Sequence, residues 1–257
     1  MVPDQDPALW ARRAASFGAA ARAYADHRPG YAPDALTWCL AGAEREVVDV
    51  LDLAAGTGSL TTGLVATGVA VTAVEPDPGM LAELHRRQPD VPAVTGRAEA
   101  IPLADASVDA VFVGTAFHWF DADRALPEIA RVLRPGGVLA VLYNLVDSSL
   151  PWVQELGEAS RSSVSLPPTE EDWDPSYAGF TPVEQGRFPH GFPRTAESLT
   201  AMVGTHSHTI VISPEERAEV LARVRAVLDA HPETSTGTFD HPLVTRAARC
   251  RVVSGAA

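Results

Sequence analysis

The chain has 257 residues, with 20 Lys and Arg against 33 Asp and Glu and a formal charge of −13. That length suits one α/β domain with an insertion, and the charge argues against a nucleic-acid role, which needs clustered Lys and Arg. No segment approaches the apolar length of a membrane span. Met1-Val2-Pro3-Asp4-Gln5-Asp6 lacks the basic and apolar regions of a signal peptide, so a cytoplasmic protein is expected. Cys39 and Cys250 are far apart, and two buried thiols are expected rather than a bridge or a zinc site.

From Pro7 to Tyr24 the residues Trp10, Ala14, Phe17, Ala21 and Tyr24 recur at alternating four- and three-residue steps, which places them on one helix face. A polar-aromatic stretch follows, Tyr24 to Tyr31, closed by Pro29-Gly30. Its Tyr24, Arg28 and Tyr31 either pack or face a ligand. A helix is predicted over Asp34 to Ala43, with Pro33 suited to its start.

Val47 to Leu53 is a short apolar run, as expected of a strand buried in a parallel sheet. It leads into Asp52-Leu53-Ala54-Ala55-Gly56-Thr57-Gly58, where two glycines allow a tight turn and close approach of a ligand to backbone. A helix from Ser59 to Thr67 then points unpaired N–H groups at that ligand. Val69 to Val74 is a second strand, ended by Glu75-Pro76-Asp77. Glu75 follows Gly56 by 19 positions, close to the spacing at which nucleotide-binding sheets place an acid on ribose hydroxyls. A carboxylate offers two acceptor oxygens to a vicinal diol. A third glycine of a dinucleotide fingerprint would fall at Thr61, which disfavours a nicotinamide-dependent oxidoreductase.

A helix is predicted over Met80 to Arg87, an edge strand over Val91 to Gly96 and a loop over Arg97 to Leu103. Asp109 to Gly114 reads as a fourth strand, followed by Thr115-Ala116-Phe117-His118-Trp119-Phe120. Asp121 suits the N-cap of the next helix, which Arg134-Pro135-Gly136-Gly137 ends. Val138 to Leu145 reads as a fifth strand. Strands alternating with helices imply right-handed βαβ units, whose ligands lie beyond the carboxyl ends of the strands. The glycine loop, Glu75, Gly96 to Glu99 and Thr115 to Phe120 all fall at such ends.

Beyond Leu145 the pattern loosens. Asp147 to Arg194 reads as a partly helical cap with Trp152, Trp173, Tyr177 and Phe180, then a strand near Val183 to Phe188. Helices are predicted over Ala196 to Val203 and Pro214 to Leu228, and a last strand at the sheet edge over Leu243 to Val253. Glu170-Glu171-Asp172 reads as a solvated face. His206-Ser207-His208 and His190 lack Cys or carboxylate partners at ligand spacing, so no metal is expected.

Taken together these motifs resemble the class I S-adenosylmethionine-dependent methyltransferases, in their small-molecule, type 11-like branch. The match is carried by Asp52 to Gly58, Val74-Glu75-Pro76-Asp77, Gly96 to Leu103, Ala116 to Phe120 and Arg131 to Gly137. Phe17 to Tyr31 is similar to the N-terminal helix and turn of the trans-aconitate methyltransferase-like subgroup. The resemblance implies a Rossmann-like, doubly wound, mostly parallel seven-stranded sheet with an antiparallel last strand and a cap insertion after the fifth. It implies one domain, with N-terminal helices over 1–45, a cofactor-binding core over 46–146, a cap over 147–210, and a C-terminal helix and edge strand over 211–257.

It also implies S-adenosyl-L-methionine as cofactor. Ala54 to Gly58 would lie against its methionyl part, and Asp52 would help orient its ammonium through water or backbone. Glu75 would hold the ribose diol beside Pro76. Asp77 and Met80 would flank the adenine, with Ala98 and Glu99 at its amino edge. Thr115, His118 and Trp119 would line the methyl-transfer side, with His118 a possible base. Tyr24 and Arg28 would close over the cofactor, and Tyr31, Trp119 and His206 would meet the substrate. The expected partner is a small molecule, with no nucleic acid or membrane, and the expected state a monomer or homodimer. A non-methylating relative, a cyclase or a binding module, stays open alongside. The acceptor also stays open, with Arg187 or Arg194 as the residues that could pair with an acidic one.

Overall fold

The structure is a computed structural model that describes residues 28–165 and 175–253. The helical stripe through Tyr24, the acidic run Glu170 to Asp172 and Trp173 lie outside the described residues. Those described fall into two compact units. A core unit holds residues 29–145, 175–190 and 244–253, and a second unit holds Arg28, 146–165 and 191–243. The helices on both sides of residue 210 share one apolar core.

The core begins with α1 (Pro33–Leu40), β1 (Asp49–Leu53), α2 (Ser59–Ala66), β2 (Ala70–Glu75), α3 (Pro78–Arg87), β3 (Ala93–Thr95) and β4 (Val108–Gly114). A single 3-10 turn at Phe117–Trp119 leads to α4 (Ala122–Val132) and β5 (Leu133–Val146). Then come α5 (Pro151–Ala159), β6 (Glu184–Arg194), α6 (Ala196–Val203), α7 (Ser207–Ile210), α8 (Pro214–Ala230) and β7 (Phe239–Arg251). Among the described residues seven strands form one sheet in the order β3-β2-β1-β4-β5-β7-β6. β1 pairs in parallel with β2 and β4, β2 with β3, and β4 with β5, whereas β7 runs antiparallel.

This is the doubly wound architecture expected, with two corrections. The last strand is not at the edge but lies between β5 and β6. Its burial shows why: Leu243, Val244, Thr245, Ala247, Ala248 and Cys250 are all buried, too much apolar surface for an edge. β5 also starts five residues earlier than expected, since Leu133 pairs with Val108 ahead of a register shift to Ala110 and Val138.

Neighbouring residues of the central strands point to opposite faces. Val50, Phe112, Val138, Ala140 and Leu142 pack with Leu36 of α1, Leu64 of α2 and Leu84 of α3. Leu51, Val111, Val113, Leu139 and Val141 pack instead with Leu126 and Ile129 of α4. Because both faces are covered, these strands read as continuous apolar runs rather than alternating ones. At their amino ends Asp109 accepts the N–H groups of Val48 and Asp49 and pairs with Arg45 and Arg134. Burial alone would raise its pKa, but those N–H groups and Arg134 outweigh it and hold it low.

The second unit has its own core of Trp152, Val153 and Leu156 of α5, Leu199, Met202 and Val203 of α6, and Val220, Val224 and Leu228 of α8. Thr195 and Ser198 form a reciprocal capping box at α6, and Ser213 accepts the Glu216 N–H at the start of α8.

Candidate active site

The carboxyl ends of β1, β2 and β4 carry the predicted residues. Ala54, Gly56 and Gly58 all adopt left-handed backbone, at φ 58°, 57° and 85°. That conformation is easy for glycine and strained for Ala54. A side chain at Gly58 would also press on Leu84 at 3.1 Å.

Glu75 ties this loop down. Its Oε2 accepts the Gly56 N–H at 2.9 Å and its Oε1 accepts the Asp77 N–H at 2.9 Å. The residue is 5% exposed. Burial raises its pKa; the Asp77 and Gly56 N–H groups oppose that rise and the Asp77 charge adds to it. Asp77 caps α3 in turn, one oxygen accepting from both Gly79 and Met80. Met80 is buried beside them, and Pro76 is exposed.

Asp52 is 0% exposed, and its Oδ2 accepts the Thr61 hydroxyl at 2.6 Å. Burial raises its pKa to about 7, opposed by Thr61 and aided by the Glu75 charge. So enclosed, the carboxylate meets the Thr61 hydroxyl and not solvent. Thr61 was informative in the sequence only as a missing glycine; here it is the partner that keeps Asp52 in place.

Ala98 is buried against the core. Glu99 accepts the Asp121 N–H at 3.0 Å. Asp121 occupies the N-cap position of α4 as expected, but its side chain makes no capping bond, so Glu99 serves that helix end. After β4, Thr115 has φ 53°, rare for a β-branched residue. Its hydroxyl shares a 2.9 Å hydrogen bond with Tyr31. Gly114 makes room for that bond, since a Cβ there would stand 2.6 Å from the Tyr31 hydroxyl. The Tyr31 turn is pinned on two further sides. Ser59 donates to the Pro29 carbonyl, and Asn144, which accepts from Thr245, donates to the Gly30 carbonyl.

His118 stacks 4.9 Å from Trp119 and 6.1 Å from Tyr143. These rings desolvate one side of the imidazole and lower its pKa towards about 4. His118 also keeps an exposed surface. Burial raises the Tyr143 hydroxyl to about 12. Tyr143 was not foreseen, although its place near the end of β5 was the available signal.

Tyr24 lies outside the described residues. Arg28 and His206 belong to the second unit and are described with it.

Comparison with known proteins accords with this geometry. A methyltransferase domain model matches residues 51–141. An uncharacterized methyltransferase of Mycobacterium tuberculosis is 44% identical over 84% of this chain and 87% of its own. One from Schizosaccharomyces pombe is 32% identical over 86% and 91%. A solved structure assigned as a type II methyltransferase, from Anaeromyxobacter dehalogenans, superposes with a TM-score of 0.59 at 26% identity, over 86% of this chain and 95% of that one. The chain belongs to the class I methyltransferases, enzymes that use S-adenosylmethionine as methyl donor.

The residues fit that cofactor. Left-handed Gly56 and Gly58 leave a backbone surface without side chains, and the braced Glu75 carboxylate retains acceptor capacity for a diol.

Proposed function

We propose that this methyltransferase acts on a small molecule, a metabolite or natural product, by in-line transfer to O, N or C. The observation that carries the reading is Glu75, a buried carboxylate shared by the Gly56 and Asp77 N–H groups at the mouth of a left-handed loop. In this reading Glu75 receives the ribose diol, Gly56 and Gly58 lie against the methionyl chain, and Asp77 and Met80 flank the adenine with Ala98 and Glu99. When bound, S-adenosylmethionine supplies an electrophilic methyl group on a good leaving group. The chain's own contribution is then alignment and exclusion of water.

Thr115, His118 and Trp119 line the methyl-transfer side, with Tyr31 and the Tyr143 ring beside them. With its pKa lowered, His118 is neutral at pH 7 and can accept a proton from a hydroxyl or amine acceptor. An ionised carboxylate acceptor needs no base. Membership of the trans-aconitate-like subgroup rests on Tyr24 and on Arg28-Pro29-Gly30-Tyr31. A cytoplasmic site is part of the same proposal, supported by two free, buried cysteines.

Calorimetry with S-adenosylhomocysteine tests the donor site, and absence of binding at millimolar ligand would falsify this assignment. Incubation of small-molecule pools with isotopically labelled cofactor tests the rest. Label in a product is expected, whereas conversion without label would identify a non-methylating relative.

A further inference from the structure

The second unit collects basic side chains, among them Arg28 and His206, which the family resemblance sets against cofactor and substrate, and Arg194 and His241. Arg194, ending β6, is 4% exposed; its guanidinium lies 4.4 Å from the centre of the Phe192 ring and its Nη2 3.4 Å from Met202 Sδ. His241 on β7 is 1% exposed, with its ring 6.2 Å from that of Trp152. Neither ring nitrogen of His241 makes a hydrogen bond. His206, ahead of α7, stacks 5.5 Å from His208.

These groups sense one another. Besides burial, which dominates each shift, the Arg28 charge lowers the pKa of Arg194, and Arg194 lowers that of His241. His206 is held well below its usual value by burial and then by Arg28, His208 and His241. All five share the second unit. An imidazole carries at least one N–H in either tautomer, and a buried donor without an acceptor is costly to keep. An anion placed among these groups would satisfy that donor and reverse the repulsion.

We propose that this cluster binds the oxyanion of a small molecule, a carboxylate or a phosphate, with His241 and Arg194 donating and Arg28 supplying positive charge. A guanidinium fork and an imidazole N–H match an anion with two or more oxygens. The inference stands on the unbonded nitrogens of the buried His241 and on the buried Arg194 guanidinium beside Phe192 and Met202.

The test uses the full chain in calorimetry and thermal unfolding with sodium phosphate, sodium acetate and sodium citrate, against sodium chloride at equal ionic strength. Saturable binding with a rise in Tm is expected for phosphate or for the carboxylates. Phosphate alone points to a phosphate ester, and the carboxylates alone to an organic acid. Affinity should fall about tenfold or more in Arg194→Met and His241→Phe, as for loss of a charge-assisted hydrogen bond. Should Arg194→Met fail to fold, His241→Gln carries the test while leaving both arginines in place. By NMR, the pKa of His241 should rise on addition of the anion. No saturable binding beyond chloride, or unchanged affinity in His241→Gln and His241→Phe, overturns the proposal. S-Adenosylhomocysteine titrated into the same samples reports on the donor site separately.

Discussion

The sites proposed in the core unit and in the second unit would bind by opposite means. At the strand ends of the core the proposed binding surface is main chain. Ala54, Gly56 and Gly58 hold left-handed conformations, and one carboxylate, Glu75, braces the loop through two N–H groups. In the second unit it is side chain: Arg194 and His241 are buried among Phe192, Met202 and Trp152. The first arrangement requires particular small residues in a row. The second requires only that basic residues from distant segments meet. A backbone site can be damaged by adding atoms or removing its brace, whereas a side-chain site is damaged by removing charge.

The brace should therefore matter most. Glu75→Ala removes the proposed diol acceptor and leaves the Gly56 and Asp77 N–H groups without a partner. Affinity for S-adenosylhomocysteine in calorimetry is expected to drop about 100-fold, roughly 3 kcal/mol. An affinity within threefold of the parent would break the contrast drawn here.

Asp52 tests the same loop from behind. Its folded pKa of about 7 lies above its unfolded value of 3.8, so its contribution is present in acid and lost as pH rises through 7. Asn at this position keeps an acceptor for Thr61 but cannot ionise. Asp52→Asn should thus gain stability at pH 8 relative to pH 5, by about 2.5 kcal/mol at most. Urea unfolding of both proteins at the two pH values measures it, and an equal effect at both would contradict the assigned burial cost.

Gly114→Ala adds one methyl group where the Tyr31 hydroxyl lies. A loss of about 2 kcal/mol in stability is expected from overpacking, with weaker cofactor binding as Thr115 shifts. Tyr31→Phe removes the hydrogen bond to Thr115 and should cost about 1 kcal/mol in the same unfolding assay. If Tyr31→Phe proved worse than Gly114→Ala, the hydroxyl contact rather than space at the strand end would be the controlling feature.

How much was legible follows the same division. The glycine loop, the acid 19 positions on and the strand-end segments were readable, because each is a local requirement. Left-handed backbone favours Gly, a buried strand needs an apolar run, and a turn into a helix needs a cap. The place of β7 was not readable, since strand order depends on which apolar faces meet after folding. Nor was the shared core of α6 and α8, which look independent in sequence.

Within the site, the contact of Thr61 with Asp52 and the pinning of the Tyr31 turn by Thr115 and Asn144 join residues from 9 to 114 positions apart. No spacing rule reports such meetings. Local stereochemistry let the sequence alone determine a doubly wound methyltransferase sheet and where its glycine loop lies. Only the tertiary structure decided that Glu75 is spent partly on bracing that loop, that Asp52 is sealed behind it, and that Arg194, His206 and His241 belong to one unit. Those outcomes depend on burial and on like charges being brought close, which exist only once the chain has folded.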